Sequence, residues 1–68
     1  MTSKNPDVTV WPDGSITLLT FKSQTARDWV DQNVHTEPYM WLGRSLAVDS
    51  HYVNDIITGM IDDGLVVD

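Results

Sequence analysis

Cysteine is absent from this 68-residue chain, which excludes a disulfide framework and any thiolate metal site. That favours a reducing compartment, and the cytoplasm is the expected location. Basic residues are scarce as well: four Lys and Arg stand against ten Asp and Glu, a net charge of −6. Affinity for nucleic acid backbones rests on Lys and Arg, so direct binding to DNA or RNA is disfavoured. No apolar run approaches the roughly 18 residues that span a bilayer, and Met1 to Pro6 lacks the apolar centre of a signal peptide. A soluble, unexported chain with no membrane partner is the expectation. Also missing are GxGxxG and P-loop spacings, HExxH, and a GxSxG nucleophile context, so nucleotide, zinc-protease and serine-hydrolase chemistry have no local signature.

What is present suffices for a fold. Hydrophobic residues make up 41% of the chain and its carboxylates are spread from Asp7 to Asp68, not massed in an acidic tail. The length allows one domain, which we place at 7–68 behind a polar, disordered tail at 1–6. A domain this small buries only about 60% of the surface its unfolded chain exposes, so its stability is marginal unless it associates.

The clearest pattern is the last third. Leu46-Ala47-Val48 is a short apolar strand, followed by Asp49 and Ser50, either of which can cap a helix starting near His51. Val53, Ile56, Ile57, Met60 and Ile61 then recur at i, i+3, i+4, i+7 and i+8, one apolar stripe. Gly64 follows where a left-handed residue ends a helix, Leu65 is placed to pack back on the last turn, and Leu65-Val66-Val67 reads as a terminal strand. In the first half, Val8 to Trp11 alternates at strand period and Pro12-Asp13-Gly14 is turn-forming. Ser15 to Phe21 returns as a strand with Ile16 and Leu18 on one face and Leu19 and Phe21 on the other. Ser23 or Thr25 caps a helix ending near Val34, whose stripe is Ala26, Trp29, Val30 and Val34. The order predicts an α+β fold, ββαβα(β): an N-terminal hairpin plus short strands, with two helices packed on one face of the sheet. If Leu46–Val48 and Leu65–Val67 share that sheet, the helix between them is a right-handed parallel crossover.

Candidate chemistry is thin. His51 lies two residues from Asp49 and four from Asp55, a spacing for a base or metal ligand, but an exposed first-turn histidine has the same spacing, and no third ligand stands at a defined distance. No catalytic residue, metal ligand or cofactor is assigned. Asp62 and Asp63 fall in the last helical turn, where the macrodipole makes carboxylates unfavourable by about 0.3 to 1 kcal/mol each. With Asp55 they form a candidate acidic face, the alternative being an ordinary solvated helix end. Gly59, inside the helix, implies close approach of another element or chain. Three Trp in so short a chain exceed what one core needs, and Tyr39, Met40 and Trp41, in the least regular stretch, are the candidate protein interface; the alternative is a loop that caps the sheet.

Trp41-Leu42-Gly43-Arg44-Ser45-Leu46-Ala47-Val48, then His51-Tyr52-Val53, Ile56-Ile57, Gly59-Met60 and Asp63-Gly64-Leu65, resembles the pattern of a family of small uncharacterised bacterial proteins, often of prophage type. The similarity runs from about Val8 to Val67. The resemblance implies an accessory protein of phage origin and, since the family has no assigned activity, transfers no functional residue.

The expectation is therefore a non-catalytic binding module that docks on a protein partner or on its own copy through Tyr39, Met40 and Trp41. Two alternatives stand beside it: an acidic decoy or inhibitor presenting Asp55, Asp62 and Asp63 to a basic, nucleic-acid-binding protein, and a small metal-binding protein using His51.

Overall fold

The computed structural model describes residues 5–68. Residues 1–4 of the expected tail lie outside that range, and Asn5 and Pro6 precede the first strand without helix or strand structure. Strands β1 (Val8–Asp13), β2 (Ile16–Phe21), β3 (Trp41–Leu42) and β4 (Ser45–Asp49) form one antiparallel sheet in the order β1-β2-β4-β3. Helix α1 (Gln24–Asn33) follows β2, a single 3-10 turn (Pro38–Met40) leads into β3, and α2 (Val53–Asp62) follows β4. The molecule is a small α+β domain, as the element order predicts.

The first hairpin turns one residue later than Pro12-Asp13-Gly14 suggests. Pro12 and Asp13 belong to β1, and the loop is Gly14-Ser15 with Gly14 at φ 65°. A positive φ at the first loop position alone is the II′ pattern, whose twist matches the flanking strands. Proline is tolerated inside β1 because of strand parity. The amides of Val8 and Val10 point to the outer edge, where they donate to the carbonyls of Val66 and Asp68. Pro12 continues that parity toward the outer edge, so its missing N–H breaks no bond between β1 and β2.

Parity also sorts the sheet into two faces. Leu19 and Phe21 of β2, Val8 of β1, and Leu46 and Val48 of β4 point inward and are buried. Against them pack Ala26 and Val30 from α1, Val53 and Met60 from α2, and Leu65, all in one core. Both helices therefore cover the same face. Of the expected α2 stripe, Val53 and Met60 are buried and Ile56 and Ile57 are half-buried, whereas Ile61 is exposed. At about 100° per residue Ile61 stands about 80° round the helix from Val53, at the far margin of the stripe.

Helix ends follow local chemistry. The Ser23 hydroxyl accepts from the Ala26 amide and caps α1. Helix α2 starts at Val53, two residues after the expected His51, because Asp49 turns the chain first by accepting the His51 amide at 2.8 Å. Ser50, the other expected cap, ties the hairpin to β4: its hydroxyl donates to the Gly14 carbonyl and so must accept from the buried Thr17 hydroxyl. At the other end, Leu65 N–H donates to Met60 C=O and Gly64 N–H to Ile61 C=O, with Gly64 at φ 91°. This is the Schellman pattern, and Leu65 is buried. The chain then pairs Val67 in parallel with Val8, while the Asp7 carboxylate accepts the Val66 amide at 2.9 Å. Since β1 and β4 are each antiparallel to β2, the C-terminal segment runs parallel to β4 in the same sheet, and α2 is the crossover between them.

Gly59 permits close approach within the monomer. A Cβ at this position would lie 3.2 Å from Cζ2 and 3.4 Å from Cη2 of Trp29, whose indole N–H donates to the Asp63 carboxylate on the same helix. The ring is thus held against α2 at two points one helical turn apart. Alanine gains about 0.5–1 kcal/mol of helix propensity but overpacks the contact, which costs about 1–3 kcal/mol. Gly59→Ala is expected to lose up to about 2.5 kcal/mol by denaturant unfolding, and to become stabilising in a Trp29→Leu background. Equal effects in both backgrounds would show that the ring does not crowd the helix.

Candidate functional site

The expected interface does not form one patch. Tyr39 is 84% exposed, but its two neighbours turn toward the core. Met40 is half-buried, and its sulfur accepts the Glu37 amide at 3.3 Å. Trp41 lies on the inner face of β3, opposite Leu46. Its ring is 5.7 Å from that of Phe21, its indole N–H donates to the Thr36 hydroxyl, and the Arg27 guanidinium sits 4.0 Å over its face. Val34, Met40 and Trp41 of segment 34–43 pack on the core, and Tyr39 stays outside.

Nor do the three aspartates of α2 act alike. Asp55 and Asp62, seven residues apart, share one exposed side of the helix. Asp63 sits at the C-cap and accepts from Trp29, so a carboxylate at the unfavourable end of the dipole is compensated by an indole donor. Each histidine meets a carboxylate two residues away in an exposed position: His35 with Glu37, and His51 Nδ1 with Asp49 at 2.9 Å. Among the described residues no three His, Cys, Asp or Glu side chains gather where a metal ion could be held, and no helix is long and apolar enough to cross a membrane.

Apolar side chains are also exposed on the outer face of the sheet. Register places Trp11, Leu18 and Ala47 side by side across β1, β2 and β4. One row toward the hairpin, Asp13, Ile16 and Asp49 are aligned, and on the opposite side lie Thr9, Thr20, Ser45 and Leu42. Trp11 is 68% exposed, Leu42 64% and Ile16 42%. A bond between the Thr20 and Ser45 hydroxyls joins β2 to β4 on this face. Trp11 is visible in the sequence as an aromatic beside a turn, and Ile16 and Leu18 as one face of a two-sided strand. The hairpin sets Trp11 beside Leu18, and the long-range pairing of β2 with β4 adds Ala47.

Asp49 borders this face, and its carboxyl is perturbed. The His51 backbone N–H, and then the His51 ring, donate to it and hold its pKa below the ordinary carboxylate value. A lowered folded-state pKa stabilises the fold above the unfolded-state value and loses that contribution as pH falls through the folded one. In a carbon-detected NMR titration, Asp49 is expected to protonate below free aspartate, with the His51 amide signal shifting at the same midpoint. An Asp49 midpoint at the ordinary value would mean that this turn does not hold the carboxylate in solution.

These placements leave the outer sheet face, edged by Asp13 and Asp49, as the candidate functional surface, and it has to be argued from its own geometry: no protein family, curated protein or solved structure matches this chain.

Proposed function

We propose that this protein is a non-catalytic binding module that docks the outer face of its sheet on a protein partner carrying an apolar patch edged by Lys and Arg. The observation that supports it is the unpaired apolar band of Trp11, Ile16, Leu18, Ala47 and Leu42 on one side of a sheet whose other side holds the core. Contiguous exposed apolar surface rimmed by polar groups marks interaction sites, and Trp is enriched at their energetic centres. Asp13 and Asp49 flank Ile16, and the chain carries a net −6. Two copies facing each other would bring like net charges together, whereas a basic partner gains attraction and a faster encounter. This reading replaces the expected residues, Tyr39, Met40 and Trp41 and the aspartates Asp55, Asp62 and Asp63, with a different apolar and acidic set on one surface. The exposed histidine–carboxylate pairs add no convergent acid, base and nucleophile to support catalysis. The prophage-type resemblance agrees with an accessory role.

Trp11→Ser separates binding from folding, because a mostly exposed side chain in one cross-strand pair contributes no more than about 1 kcal/mol to stability. In affinity capture, a basic protein held by the wild type is expected to be lost with Trp11→Ser and weakened by added salt. The purified partner should then shift the amide signals of Thr9, Leu18 and Ala47. Capture that survives Trp11→Ser, or a Trp11-dependent dimer in sedimentation without any partner, would overturn the assignment.

A further inference from the structure

The acidic chain gathers its cations in one place. Of its four Lys and Arg, Lys22, Arg27 and Arg44 line a single pocket of about 310 Å³, together with Phe21, Ser23 and Gln24. No carboxylate is among the residues that line it. Three chain segments meet there: the end of β2, the start of α1 and the β3–β4 turn. Arg27 is held in place by the Trp41 ring beneath it and by Asp31, which takes its Nε at 3.3 Å. Among the described residues, neither Lys22 nor Arg44 forms an ion pair. Placing unneutralised cations together costs stability through mutual repulsion unless an anion sits among them. Three positive charges less the one that Asp31 compensates leave two, the charge of a phosphate monoester above its second pKa of about 6. The volume is at the lower end of the range of pockets that hold small organic ligands, about 300–1,000 Å³. A second hollow shares Arg27 and runs along Pro38 and Trp41, giving an apolar wall next to the cations.

We propose that this pocket binds the phosphate group of a small phosphomonoester, with Arg44, Arg27 and Lys22 around the dianion and the organic group lying along Trp41 and Pro38. The site is independent of the outer sheet face, and its test leaves that reading untouched. Guanidinium groups meet phosphate oxygens in paired hydrogen bonds, which suits Arg27 and Arg44, and Lys22 adds a point charge. Nucleic acid, with its long run of phosphates, would meet the repulsion of the net −6 chain; a single small phosphate largely escapes it.

The test is a nitrogen-15 NMR titration at about pH 7.5 and constant ionic strength, with inorganic phosphate and phenyl phosphate as probes and chloride as control. Above the second pKa of about 6 both probes are mainly dianionic. Saturable shifts are expected at the Gln24 and Thr25 amides and the Arg44 Nε–H. Phenyl phosphate should bind more tightly than inorganic phosphate and also move the Trp41 indole N–H. Arg44→Gln and Lys22→Gln, both at exposed positions, should each weaken binding about tenfold, the loss of one hydrogen bond to a charged group, with the rest of the spectrum unchanged. Shifts that chloride reproduces, or an affinity that neither variant alters, would mean an adventitious ion only and overturn the site. Equal affinity for the two probes would overturn the ester and leave a free oxyanion as the ligand.

Discussion

A chain of 68 residues can cover only one face of its sheet, and the rest of the structure follows from that limit. Surface falls more slowly than volume as a domain shrinks, so the two ten-residue helices are spent on a single core. Val8, Leu19, Phe21, Leu46 and Val48 meet Ala26, Val30, Val53 and Met60 there, and among the described residues no helix lies on the other side. An antiparallel sheet tolerates this because its outer face can be polar. Here the outer face is only partly polar: threonine and serine occupy one cross-strand row, while Trp11, Leu18 and Ala47 occupy the next. Trp11 stays largely in water there, so its burial adds little to folding.

Seating α2 correctly is the second condition, because that helix carries the chain from one side of the sheet to the other. Trp29 supplies the position: its ring lies on Gly59 and its N–H on Asp63, so one side chain of α1 fixes both the separation of the helices and the place where α2 ends. From that point the Schellman turn returns Leu65 to the core and sends Val66 to Asp68 along β1. The Asp7 carboxylate, at the opposite end of the domain sequence, accepts the Val66 amide. The two ends of the folded chain thus close on each other, and the free edge of β1 is paired for part of its length, which limits edge-to-edge association.

Features written in local periodicity and turn chemistry were legible in the sequence. The α2 stripe, the Gly64 stop, the Ser23 cap, the β2 parity and the close approach at Gly59 all depend on residues within a few positions of one another, or on a rule that any partner must satisfy. Features that depend on a distant partner were not. Asp49 and Ser50 were both candidate caps, yet Asp49 holds the His51 amide and Ser50 is drawn to Gly14, 36 positions away. Asp63 looked like one carboxylate among three until the indole of Trp29 was placed against it. Tyr39, Met40 and Trp41 are adjacent in sequence, but the 3-10 turn leaves Tyr39 outside while Met40 at its end and Trp41 at the start of β3 both pack on the core, so adjacency implied a patch that the fold divides. The apolar band across β1, β2 and β4 had the opposite problem: its members are scattered from Trp11 to Ala47, and register alone assembles them.

Charge shows the same assembly by register and topology. Spread along the sequence, ten acids and four bases read as a uniformly acidic chain. Folding sorts them: Asp13 and Asp49 come together at the hairpin end of the sheet, while Lys22, Arg27 and Arg44 converge where β2 ends, α1 begins and the β3–β4 turn reverses. At physiological salt the screening length is about 8 Å, so each group acts on its own surroundings more than on the whole. A net charge that repels polyanions at a distance is therefore compatible with a local site that receives one small anion, and the acidic border of the sheet face can select a basic partner without interference from the cations. Two surfaces of opposite sign need two separated ends, and the length of β2 from Ile16 to Phe21 provides them.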